Sequence, residues 1–180
     1  MWSIGWVPFQ QFEKFMERQW DFDDFLLFND DFFIMEPITE WIDYERTEQS
    51  YMALTAKCKP YHMLTLNTFK ILDNKKKHYF NLHIPMRLKI SNLRILFILW
   101  HNVINKNLDF RTLYGNLFIK DYENLVAIPD VKIFQDKFNP QGPFLSTWSK
   151  AFEVKGEVYQ GLINTFSEPC FCETKKIEKL

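Results

Sequence analysis

The chain has only three cysteines, Cys58, Cys170 and Cys172, an odd number that makes a poor disulfide framework and points to a reducing compartment. Five glycines in 180 residues are too few to favour a phosphate-cradling loop. Neither a Gly-x-Ser-x-Gly elbow, a P-loop nor a dinucleotide fingerprint occurs. The longest strongly apolar run, Ile95–Trp100, is six residues, against the roughly 20 that a membrane span needs. No basic stretch followed by an apolar run opens the chain, so no secretory signal is expected. No Asn-x-Ser/Thr sequon occurs either, which agrees with an intracellular product. Net charge is nearly absent, at −1, so any attraction to nucleic acid or membrane must come from local patches.

What is present is aromatic and unevenly charged. Aromatic residues make up 18% of the chain, and 11 of the 32 lie in the first 34 residues. That segment also holds seven acids against Lys14 and Arg18, a net −5, which leaves +4 for residues 35–180. An acidic, aromatic arm thus precedes a mildly basic body. Aromatic side chains dominate interface energetics, so Trp6, Phe9, Phe12 and Trp20 are the candidate interaction residues. They either dock on a partner or close the core of their own domain.

Val7-Pro8 reads as a helix start, followed by Phe9, Phe12, Met16 and Trp20 at helical spacing. A second short helix from Asp21 would align Phe22, Phe25 and Phe28. From Tyr51 to Cys58 the period changes to two, and His62–Leu72 reads as a further strand. In Tyr79–Ile90, Phe80, Leu82, Ile84, Met86, Leu88 and Ile90 fill one face of a long strand, with Pro85 at its edge. Leu93–Asn105 reads as a helix capped by Ser91 or Asn92, and Asp109–Lys120 fits either state. Leu125–Phe134 alternates again; Asn139–Pro143 is a loop; Ser146–Val154 and Glu157–Phe166 form a hairpin around Lys155-Gly156. The fold class expected is α+β: a mainly antiparallel sheet with helices packed on one face and a helical N-terminal arm. The organisation is a helical arm over 1–34 packed on the body, an α+β domain over 35–167 and a charged tail over 168–180.

Three groups of residues carry candidate chemistry. Pro129-Asp130 followed by Glu153-Val154-Lys155 resembles the Pro-Asp…Glu-x-Lys metal-dependent nucleases. That resemblance implies Asp130 and Glu153 as metal ligands and Lys155 as the cation that neutralises developing charge. The bland reading is solvated charges on strand faces. Cys58 and His62, with Cys170 and Cys172, supply four zinc-type donors, although Cys58 falls on the apolar face of its strand, where cysteine behaves as a small hydrophobe. Lys75, Lys76 and Lys77 sit in a polar turn and Arg87 and Lys89 continue a basic stripe. These five either contact phosphates of nucleic acid or anionic lipid, or form a solvated turn that discourages edge pairing.

The element order from His78 to Phe166 resembles that of rhabdovirus matrix proteins: a long amphipathic strand (Tyr79–Ile90), an apolar helix (Leu93–Asn105), a hydrophobic strand (Leu113–Ile119), a loop and a long hairpin (Ser146–Phe166). The resemblance implies self-assembly and contact with nucleocapsid and a membrane surface. The acidic opening, without a Pro-Pro-x-Tyr-like segment, departs from that family.

The expectation is a non-enzymatic interaction or assembly protein, viral and matrix-like or accessory, without a cofactor. Its partners would be other copies of itself and nucleoprotein, RNA or an anionic membrane surface. It would lie in the cytoplasm or a virion, with no transmembrane segment. The alternatives are a metal-dependent nuclease acting through Asp130, Glu153 and Lys155, and an intracellular inhibitor or immunity-type protein whose acidic arm mimics nucleic acid.

Overall fold

A computed structural model describes residues 14, 17–28, 32–57, 59–72, 77–101, 108–133, 135, 137–140, 142–147 and 156–166. Trp6, Phe9, Phe12, Cys58, Lys75, Lys76, Glu153, Lys155, Cys170 and Cys172 lie outside them, as does the tail over 168–180. The fold is α+β.

The elements in order are strands β1 (Asp24–Leu27), β2 (Phe32–Ile34) and β3 (Tyr44–Arg46), and helices α1 (Glu48–Lys57) and α2 (Lys59–Leu72). Strand β4 (Met86–Lys89) and helices α3 (Ile90–His101) and α4 (Phe110–Phe118) follow, then a 3₁₀ turn at Tyr122–Asn124. Strands β5 (Val126–Ile128), β6 (Lys132–Ile133) and β7 (Phe144–Thr147) and helix α5 (Glu157–Thr165) complete the series. Among the described residues the strands form three small sheets. β1 pairs antiparallel with β4, β2 pairs antiparallel with β7, and the parallel pairs are β6 with β7 and β3 with β5.

The segment His78–Ile90 organises the core. Phe80, Leu82, Ile84, Met86, Leu88 and Ile90 are all buried, as their alternation requires. Only Met86–Lys89 lies in a ladder, however. Leu82 N–H turns back onto the Phe80 carbonyl at 2.9 Å, and Pro85, which has no N–H to offer a ladder, follows. Phe80, Met86 and Leu88 pack with Leu93 and Leu96 of α3 and Leu113 and Tyr114 of α4; Leu82 and Ile84 pack with Val131 and Phe144. Arg87 and Lys89, the alternate positions of β4, face outward.

Several elements differ from the sequence reading. The arm expected to be helical over 1–34 contributes strands at β1 and β2, because Phe25 and Leu27 are placed opposite Leu88 and Met86 and pack on the main core. Of the expected strands, Tyr51–Lys57 and His62–Leu72 are helical. Thr47 caps α1 by accepting Ser50 N–H at 3.3 Å, and Tyr51 and Thr55, four apart, are its buried side. Pro60 opens α2 in the first turn, where no donor is missed, and Thr65, Thr68 and Phe69 are buried along one stripe. Of the expected hairpin, Glu157–Phe166 is instead largely the helix α5, whose Val158 and Leu162 pack on Leu145 at helical spacing; Ser146 and Thr147 are in β7, and 148–155 lie outside the described residues. Leu113–Ile119 is mostly helix, within α4. Of the elements on which the matrix-protein resemblance rests, α3 and the Met86–Lys89 end of the long strand keep their expected type.

Candidate functional site

Three distant segments converge on one carboxylate. The parallel β3–β5 pair sets Arg46 opposite Ile128, two residues before Asp130. Arg46 N–H donates to the Tyr79 carbonyl at 2.6 Å and Thr47 N–H to that of Ile128 at 2.9 Å, which ties in the segment before β4. The Arg46 guanidinium then donates to Asp130 Oδ2 at 2.6 Å, to the Asn81 carbonyl at 2.8 Å and to Ser50 Oγ at 3.1 Å. His83 Nδ1 lies 2.8 Å from Asp130 Oδ2, and its backbone N–H donates to Oδ1 at 3.1 Å. The Arg46 and Asp130 side chains are 4% and 6% exposed, and His83 21%, so the histidine forms the outer wall of a buried ion pair. Burial alone pushes the Asp130 carboxyl up; the His83 hydrogen bond and charge and the Arg46 charge outweigh it and bring it down to about 2.

This geometry gives Asp130 a structural occupation. Both of its oxygens are engaged by protein donors, whereas a nuclease metal site needs carboxylate lone pairs directed at a cation. Glu153 and Lys155 lie outside the described residues. Of the zinc candidates, His62 is described: its Nδ1 stands 3.4 Å from Tyr51 Oη on the adjoining helix. Among the described residues no group of three or more His, Cys, Asp or Glu is arranged to hold a metal ion.

A second buried polar cluster sits at the start of α4. Asp109 caps that helix, accepting from Thr112 N–H at 3.2 Å, Thr112 Oγ1 at 2.8 Å and Thr65 Oγ1 at 3.3 Å, while its own N–H donates to Thr68 Oγ1 at 2.8 Å. Burial raises the Asp109 carboxyl, and the three hydroxyl and amide donors offset only part of that. Beside it the Arg111 guanidinium donates to the Ile84 carbonyl at 2.7 Å, and burial lowers it to about 10. Nearby, His78 Nδ1 lies 2.7 Å from Glu45 Oε2, and its ring stacks on Tyr122 at 4.3 Å. Its backbone is held from both sides by the Asn116 amide. These contacts fasten the segment before β4 to β3 and α4. The sequence reading did not pair His78 and His83 with carboxylates, because Glu45 and Asp130 are 33 and 47 positions away. Asp109 was legible, since Asp directly before a helical run is a favoured N-cap residue.

The basic stripe is partly occupied by the arm. Asp24 on β1 takes Arg87 Nε at 3.0 Å and Lys89 Nζ at 3.7 Å. Asp23 accepts Ser91 N–H at 2.7 Å and Ser91 Oγ at 2.9 Å at the start of α3. Lys77, the one lysine of its turn within the described residues, has its ammonium 5.4 Å from the Phe69 ring centre. Trp20 packs against Phe22 and receives the Arg18 guanidinium over its ring at 5.9 Å.

Among the described residues, the most exposed large apolar side chain is Ile98 of α3. Leu93 and Leu96 are buried, yet Ile95, Ile98 and Leu99 are 50%, 64% and 46% exposed. These three fall at i, i+3 and i+4, one stripe of the helix. A second exposed set lies between β2 and β3, where Ile34, Ile38 and Ile42 alternate with exposed Glu36 and Glu40. No helix among the described residues is long and apolar enough to cross a membrane. No protein-family model, curated protein or solved structure matches the chain.

Proposed function

We propose that the protein is a non-enzymatic interaction and assembly protein that associates with copies of itself. The observation that carries this reading is the outer stripe of α3. A helix that buries Leu93 and Leu96 ordinarily turns polar residues to solvent; here the solvent side is Ile95, Ile98 and Leu99. Apolar surface of this kind on a folded domain marks an interaction site or an aggregation hazard. The polar clusters point the same way. Asp130 and Asp109 spend their lone pairs on caps and ion pairs within the fold, which is the work of a scaffold.

Replacing Ile98 by Glu tests the reading. The position is 64% exposed, so the fold should be retained, and a helical circular dichroism spectrum equal to that of the parent will show it. Size-exclusion chromatography with light scattering should show the parent above monomer mass at high micromolar concentration and the variant at monomer mass. A parent chain that elutes at 21.9 kDa throughout removes the reading.

A further inference from the structure

We propose that the exposed stripe of α3 is occupied by the 34–42 connection of a second copy. This deepens the self-association reading and rests on it; what it adds is the occupant. The connection presents Ile34, Ile38 and Ile42 at 40%, 36% and 39% exposure, with exposed Glu36 and Glu40 between them. Beyond Ile34 it belongs to no sheet before β3 begins at Tyr44. It is an apolar ribbon studded with carboxylates. The α3 stripe differs in charge: Ile95, Ile98 and Leu99 have exposed Arg94 beside them and no acid within the helix, although Asp23 of the arm stands at its first turn.

The charge of the whole chain divides in the same sense. Residues 1–45 carry eleven acids and two bases, net −9, and residues 46–180 therefore carry +8. Among the described residues, the acids of this segment that form ion pairs are Asp24, with Arg87 and Lys89, and Glu45, with His78. Glu36 and Glu40 are not among them, so within the described residues the ribbon's carboxylates have no ion-pair partner.

Charge decides how they are compensated. A contact that laid ribbon on ribbon would bring the Glu36 and Glu40 carboxylates of two copies together, which is unfavourable. A contact of ribbon on α3 opposes unlike charges. Two copies can make it once, leaving a ribbon and an α3 stripe open at the ends, or twice about a two-fold axis. Three aliphatic side chains a side make a small patch, so the contact is weak and concentration-dependent.

Two variants dissect the contact: Glu36→Lys with Glu40→Lys on the ribbon, and Ile98→Glu on α3. All three positions are exposed, so both chains should fold. Each variant alone should run as a monomer in sedimentation velocity at concentrations where the parent does not. Mixed in equal amounts, they should form a 1:1 complex of twice 21.9 kDa that grows no further, since each supplies the half that the other lacks. A mixture that stays monomeric, or a ribbon variant that assembles like the parent, overturns the proposal. Self-association still stands where the ribbon variant assembles like the parent. A parent that is monomeric throughout removes both.

Discussion

Asp130 and Asp109 are both buried carboxylates, and their surroundings set them against each other. Asp130 faces Arg46 and His83 and is held near 2; Asp109 is shielded in a ring of threonines and is raised. The folded Asp130 value lies below the ordinary carboxylate value of 3.8. Its contribution to stability is therefore complete above that value and is lost as pH falls through about 2, amounting to about 2 kcal/mol. Asp109 has the opposite sign: its ionised form is disfavoured by folding, so its effect on stability becomes adverse as pH rises above the ordinary carboxylate value. Arg46→Met should lower stability by about 3–5 kcal/mol at neutral pH, because it strands a buried carboxylate. Asp109→Asn should lower it far less, since an amide oxygen still accepts from Thr112. Urea unfolding of the two variants at pH 7 and near pH 3 checks both magnitude and sign. A loss for Asp109→Asn that exceeds that for Arg46→Met contradicts this assignment.

At the scale of elements, a glycine shows how tertiary contacts overrule local preference. Gly115 stands within α4, where alanine would ordinarily favour the helix by roughly 0.5–1 kcal/mol. A Cβ there would meet the Phe80 ring head-on. Gly115→Ala should therefore destabilise the protein despite its better helix propensity, read as a lower urea midpoint. Gly115→Ala combined with Phe80→Leu should recover part of that loss. A rise in midpoint for Gly115→Ala alone would mean that Phe80 does not approach as described.

The same competition explains what the sequence disclosed. The apolar alternation from Phe80 to Ile90 identified the core correctly, because burial follows the side-chain pattern whether or not a ladder forms. It misled about the ladder, because a turn at Leu82 and then Pro85 interrupt strand geometry. The helix that follows was legible from its apolar density, and α+β follows from that mixture, although Ser91 and Asn92, expected as its cap, lie within its first turn. α1, α2 and α5 were hidden. Met52, Leu54 and Ala56 alternate by accident, while the contacts that fix α1 are Tyr51 and Thr55, one of them polar. In α5, Gly156 at the start of the helix imitates a hairpin turn. The ion pairs of Asp130 and Glu45 were not legible at all, since local periodicity carries no information about partners dozens of residues away.

At the scale of the whole molecule, the charge division between the first 45 residues and the rest is the property most open to manipulation. The arm's strand is docked in its own chain through Phe25 and Leu27, with Asp24 bridging Arg87 and Lys89 outside. These exposed pairs are worth about 0.2–1 kcal/mol each, so aromatic and aliphatic burial holds the arm and charge orients it. Between copies the balance shifts, because two small apolar patches lean more heavily on Glu36, Glu40 and Arg94. Raising ionic strength from about 0.01 M to about 1 M shortens the Debye length from about 30 Å to about 3 Å. Assembly should weaken over that range while the circular dichroism spectrum of the single chain stays constant. Equal assembly at both salt concentrations would contradict the role of charge.

The most direct measurement is the weight-average mass of the unmodified chain by sedimentation equilibrium, from low to high micromolar concentration at low salt. Self-association requires a mass that climbs above 21.9 kDa as concentration rises. A mass that stays at 21.9 kDa across the range would contradict it.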